Sequence, residues 1–160
     1  MSLGRTEQLV RRPTSADLDF MVENIRKEDL AEVEAMGGKT VRECLDETND
    51  IQNTSWVWEH DGKVMCIFGV NPVEDSDRIG AIWMLATKFF DDYFMIFASG
   101  CKPIVEDMIK PFKYVFNYVH AENKKSIKWL QWLGFKVREA EPIGINGAQF
   151  HRFEMWNENV

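Results

Sequence analysis

His120 ends an alternating run, Phe112-Lys-Tyr-Val-Phe-Asn-Tyr-Val-His120, that reads as a β-strand, and Tyr118 lies two residues earlier on the same strand face. An imidazole titrates near neutrality, which makes a strand-end histidine a candidate for proton transfer as well as an ordinary solvated residue. Asn123 stands just beyond, at the head of a run with helical spacing, where asparagine is a favoured N-cap. Asp91 and Asp92 head another such run, where carboxylates cap the helix and complement its dipole. The three cysteines, Cys44, Cys66 and Cys101, have no CxxC spacing and do not cluster with His60, His120 or His151. Neither a zinc site nor a disulfide scaffold is expected from that pattern, and a reducing compartment is. Cys101 falls inside an apolar stripe and reads as core rather than as a nucleophile.

The elements that must position these residues follow from spacing. Residues 19–25 read as a first strand. Residues 26–36 read as a helix, with Leu30, Val33 and the Ala35/Met36 pair at helical steps, stopped by Gly37-Gly38. Thr40 and Glu43 have capping-box spacing and open a second helix to residue 48, ended by Asn49-Asp50. Asp61-Gly62 joins strands 55–60 and 63–70 as a hairpin, and residues 74–78 form a charged turn before a buried strand at 79–86. From 89 to 110 the stripe Phe90, Phe94, Phe97, Cys101, Ile104, Val105, Met108 predicts one long helix kinked by Pro103; two shorter helices joined at Ser99-Gly100 are the alternative. A strand at 112–120, a helix at 123–133, a strand at 135–138, a loop at 144–147 and a strand at 149–155 complete the chain. The order β-α-α-β-β-β-α-β-α-β-β predicts an α/β domain with a mixed central sheet and helices on both faces.

Composition sets the outer bounds. The chain has 160 residues, enough for one domain, and at 45% hydrophobic it can bury the surface that folding requires. Lys and Arg total 19 against 26 Asp and Glu, a net charge of -7, which argues against a general nucleic-acid or anionic-membrane binder. No apolar run reaches the roughly 18–20 residues of a membrane span, and no secretory leader is visible.

The stretch Asn123-Lys-Lys-Ser126-Ile-Lys-Trp-Leu-Gln-Trp-Leu-Gly134-Phe135 resembles the C-terminal motif of the GNAT superfamily of N-acetyltransferases. That motif is an Asn after the fifth strand, a small residue three positions on, an amphipathic helix, then Gly-Phe. The element order extends the resemblance over residues 19–156. Within the superfamily, Trp83-Met84-Leu85, Phe116-Asn117-Tyr118-Val119, Asn123, Leu133-Gly134 and Gln149-Phe150 look like an acyltransferase-like internal virion protein family of short-tailed phages.

The resemblance implies a single GNAT-like domain over 16–160 behind an N-terminal tail at 1–15. It implies transfer from acetyl-CoA to an amine acceptor that the sequence does not identify. The backbone of Trp83, Met84, Leu85 and Ala86 would serve the pantetheine arm, Thr87 and Lys88 the pyrophosphate, and Asn123 and Ser126 the cofactor at the last helix. Lys124, Lys125 and Lys128 either reach the 3′-phosphate or form a solvated face. Two departures stand out. The glycine-rich phosphate loop of the family is replaced by Ala86-Thr87-Lys88-Phe89-Phe90-Asp91-Asp92, with carboxylates where phosphates would sit. The tyrosine that often serves as general acid, seven residues after the Asn, is Leu130 here, leaving His120 and Tyr118 as substitutes. Two classes therefore stay open. One is an N-acyltransferase in the host cytoplasm. The other is a non-catalytic phage internal virion protein that keeps the fold and has virion proteins as partners.

Overall fold

A computed structural model describes residues 8–48, 50–73, 76 and 78–157 of the chain. It begins with a strand, β1 (Gln8–Arg11), followed by helices α1 (Ser15–Asn24), α2 (Lys27–Met36), α3 (Val41–Asp46) and the single turn α4 (Ile51–Thr54). Three antiparallel strands come next, β2 (Ser55–His60), β3 (Lys63–Pro72) and β4 (Ile79–Ala86). A 3-10 turn leads into α5 (Phe94–Gly100) and α6 (Lys102–Ile109), then β5 (Tyr114–His120), α7 (Lys124–Leu133), β6 (Lys136–Glu141) and β7 (Phe150–Trp156). The strands form one mixed sheet in the order β1-β2-β3-β4-β5-β7-β6, in which β4 and β5 are the parallel pair.

Alternation along the central strands divides the core. Val57 and Ile67 face one way and pack with Met21 of α1 and with Val41 and Leu45 of α3. Trp58, Phe68 and Ile82 face the other way and pack with Phe97, Ile104 and Val105 of α5 and α6 and with Leu130 and Leu133 of α7. Each such side chain contributes roughly 1.5–3 kcal/mol on burial. The expected class, α/β with helices on both faces, is the observed one. So is the hairpin: Asp61 and Gly62 both take positive φ, at 49° and 79°.

Three expectations fail locally. Residues 19–25 are not a strand but lie within and just after α1, whose Thr14 and Asp17 form a reciprocal capping box. Leu18, Met21, Val22 and Ile25 recur at helical steps, and that period wins over the short alternating stretch Phe20, Val22. The first strand lies upstream instead: residues 8–11, inside the segment expected as a tail, pair with β2 as β1. The stripe from Phe90 to Met108 is real, but the helix is not continuous. Pro103 cannot donate to the Ser99 carbonyl, so the chain restarts at Cys101 and Pro103 takes the second position of α6, where no donor is needed. Residues 51–54, for which spacing predicts no element, make α4. Most of the charged turn at 74–78, and Asn49, lie outside the described residues.

Candidate active site

The parallel pair opens. β4 and β5 are in register only at Ile79–Ala81 against Tyr114–Phe116, and beyond that point the strands diverge. Asn117 props the opening: its Nδ2 donates to the Ile82 carbonyl at 2.7 Å while its Oδ1 accepts the Tyr118 N–H at 2.8 Å. At the far end Ala86 donates its N–H to Asp29 at 2.6 Å and accepts from the Arg26 N–H at 2.7 Å. Alternation puts the Met84 N–H and C=O on the same side as those of Ile82 and Ala86. They point into the opening and have no β5 partner.

Helix α2 lines this opening with its acidic face. The stripe Leu30, Val33, Met36 is not its buried side; Leu30 and Met36 are 37% and 40% exposed, while Asp29 is 4% exposed and Glu32 half-buried. Asp29 is held by Arg26 at 2.7 Å, and Arg26 reaches on to Asp91 at 3.2 Å, with Lys125 3.8 Å from the same carboxylate. Glu32 has a different environment. Its Oε1 accepts the His120 backbone N–H and the Asn123 Nδ2, each at 3.0 Å. It makes no ion pair among the described residues. Burial pushes its carboxyl above the ordinary glutamate range, against the pull of those two donors. Glu32 also stands where two cavities meet. One, about 160 Å³, fills the strand opening between Asp29, Met84, Tyr118 and Ser126. The other, about 300 Å³, lies on the α2–α3 side against Trp83, Tyr118 and Phe150.

The residues expected to act here are divided by the structure. Trp83 and Met84 line both cavities, Leu85 the larger one, and Ser126 the smaller. Tyr118 lines both, and its hydroxyl accepts a hydrogen bond from Arg152 at 2.8 Å. The His120 ring instead stands edge-on to Phe150, 5.1 Å between centroids, and its backbone rather than its imidazole reaches Glu32. Asn123 caps α7 through the Ser126 N–H and steadies Glu32 with its other end. Thr87 is fully buried and donates its hydroxyl to the Val64 carbonyl at 2.9 Å. Lys88 is exposed and lies over Phe89. Backbone donors that would cradle phosphates are spent internally: Thr87 on Met65, Lys88 on Asn24, Phe90 on Thr87. Sequence reasoning missed Glu32 altogether. The signal available was the acidic run Glu28, Asp29, Glu32, Glu34, which reads as a solvated face.

The Cys101 thiol is pushed up to about 11 by burial, which fits a core role. No group of three metal-ligating side chains occurs among the described residues, and no described helix is long and apolar enough to cross a membrane.

No family model and no curated protein matches the sequence. Solved structures do match. The putative acetyltransferase yncA of Salmonella typhimurium, solved with acetyl-CoA, aligns with a TM-score of 0.71 at 14% identity over 94% of this chain and 95% of that one. An N-acetyltransferase from Staphylococcus aureus Mu50 aligns at 0.72 and 16% identity over 94% and 99%. A spermidine N-acetyltransferase from Vibrio cholerae, in complex with CoA and spermine, aligns at 0.66 and 14% identity over 94% and 95%. At such identities the likeness is one of fold, and the fold is that of the GNAT acetyltransferases.

Proposed function

We propose that the protein is an N-acyltransferase that takes its acyl group from acetyl-CoA and passes it to an amine. The observation that carries this reading is the opened β4–β5 pair with Glu32 between its two cavities. The Met84 backbone and the Ser126 side of the opening suit a pantetheine arm. The loop at 87–90 does not suit a pyrophosphate, because the Thr87, Lys88 and Phe90 N–H groups are spent and Asp91 is close by, so the cations of α7 are the alternative, Lys124 and Lys128 together with Lys125, which lies 3.8 Å from Asp91. Acetyl-CoA supplies the activated thioester. Glu32 takes a proton from the incoming ammonium, its basicity raised by burial. Tyr118, oriented by Arg152, keeps its own proton for the departing sulfur. Transfer forms a C–N bond and breaks a C–S bond. Three free thiols suit the cytoplasm.

A second reading keeps the fold without the transfer, as a phage internal virion protein. It rests on the sequence likeness described above, and one observation favours it: Arg26 and Asp29 occupy the edge at Ala86 that the opening would otherwise offer a ligand. Calorimetry with acetyl-CoA and with CoA separates the two. Micromolar binding that survives Glu32→Gln, with turnover reduced by about 10²–10⁴, is the result expected of the transferase. Absence of binding at millimolar ligand overturns it in favour of the second reading.

A further inference from the structure

The larger cavity contains one carboxylate. Its walls are otherwise mainly apolar and aromatic: with Glu32 they include Val33, Met36, Trp83, Tyr118 and Phe150. About 300 Å³ is the low end of the range for small-molecule sites. The other strongly charged side chain in the lining, Lys39, is half-exposed at the rim and paired with Glu47.

The cavity is also closed at one end. Gly37, in the α2–α3 turn, lies so close to Ile145 that a β-carbon there would overlap its side chain, and a β-carbon on Gly144 would stand 2.6 Å from the Ala35 carbonyl. The turn after α2 and the β6–β7 loop therefore touch. About 300 Å³ walled off in this way is the volume of a small molecule.

From this arrangement we infer that the acceptor is a small primary monoamine on an apolar body, its ammonium on Glu32 and its body against Trp83 and Phe150. This rests on the transferase reading above. A half-buried carboxylate without an ion pair gains from a cation that replaces lost hydration. Trp83, in the same lining, is an aromatic surface that an ammonium or an apolar body can use, while the Tyr118 ring is already taken up by Arg152. Apolar walls contribute to binding in proportion to the carbon they cover, which favours an alkyl or aralkyl chain. A polyamine fits poorly: once one ammonium sits on Glu32, the next would meet apolar wall, the neutral side chains of Thr48, Asn71 and Asn117, or the Lys39 rim, with no second carboxylate in the lining to receive it. Because Glu32 also borders the smaller cavity, an ammonium held there stands at the mouth of the strand opening, where its proton can pass to the carboxylate before acyl transfer.

The test is calorimetry on the protein with no acyl donor present. Phenethylamine and hexylamine are the probes, phenethyl alcohol the neutral isostere, and spermidine the polyamine. The expected order has both monoamines binding roughly tenfold or more tightly than the alcohol, and spermidine no more tightly than hexylamine. Glu32→Gln removes that advantage and leaves the alcohol unchanged, which a general loss of folding would not do. A second variant, Trp83→Leu, weakens both aromatic probes. Tighter binding of spermidine than of either monoamine overturns the inference, as does monoamine binding indifferent to Glu32→Gln. Since no acyl donor is in the cell, failure here is distinct from failure of acetyl-CoA to bind, which tests the transferase reading itself.

Discussion

On the transferase reading Glu32 is the base, and two consequences follow from its surroundings. Burial raises its carboxyl above 4.5, so on the transferase reading the rate climbs with pH as Glu32 loses its proton. The acidic limb of kcat/KM against pH should therefore lie above the range of an ordinary glutamate, and Glu32→Gln should abolish that limb rather than shift it. Initial rates between weakly acidic and weakly alkaline pH check this. The same substitution should raise stability at neutral pH by about 1 kcal/mol, because an amide oxygen still accepts from His120 and Asn123 without a buried charge. Urea unfolding measures it. Little of this was legible in the sequence. Tyr118 stood out because a phenol at a strand end is conspicuous. His120 stood out for the same reason, yet the structure uses its N–H. A glutamate among four acids on one helix carries no local mark of being turned inward.

Helix α2 shows why. Its apolar stripe is sound by periodicity, and sequence reading buries Leu30, Val33 and Met36. The observed helix turns Asp29 and Glu32 inward, because the free edges of β4 and β5 offer N–H groups that only an acceptor can satisfy: Ala86 binds Asp29 and His120 binds Glu32. Such a departure from a local rule marks a functional or strained place. The mutational consequence runs opposite to the sequence pattern. Asp29→Ala leaves Arg26 with only the more exposed Asp91 and Glu28, strips the Ala86 N–H of its acceptor, and should cost about 3 kcal/mol, while Leu30→Gln should stay within about 0.5 kcal/mol. Chemical denaturation of the two variants decides it, and equal losses would mean that the stripe does anchor the helix. Elsewhere the elements were readable where a signal is nearly self-sufficient. The Asp61-Gly62 turn, the Thr40 capping box and Gly134 at φ 107° each work through three or four neighbouring residues. α1 was misread because its Thr14–Asp17 box lies outside the window taken for a strand.

At the scale of the molecule, the carboxylates pull stability in opposite directions with pH. Arg11 ties β1 to α1 and β2 through Asp17 at 2.7 Å and Glu59 at 2.9 Å. Burial raises the Asp17 carboxyl, but the bonds from Arg11 and Thr14 outweigh it and hold the group below 3.8. The native state binds that proton less readily than the unfolded chain, so this contribution is present above about 3.8 and lost as pH falls through the native value. Glu32 behaves the other way. Its native value lies above 4.5, so its contribution is complete below 4.5 and lost as pH rises through the native value. Melting temperature should therefore peak in the weakly acidic range and fall on both sides. Asp29, raised by burial, shares the limb toward neutral pH, and Glu154, held low by Tyr114 and Arg138 against its burial, shares the acid limb, so Glu32→Gln should lessen the first fall and Asp17→Asn the second while lowering the peak. For a chain of this length about 1 kcal/mol corresponds to roughly 2–4 °C, within reach of a thermal scan. A peak at neutral pH that Glu32→Gln leaves in place would mean that the carboxylate is hydrated in the native state, and the case for it as the base would fall with that result.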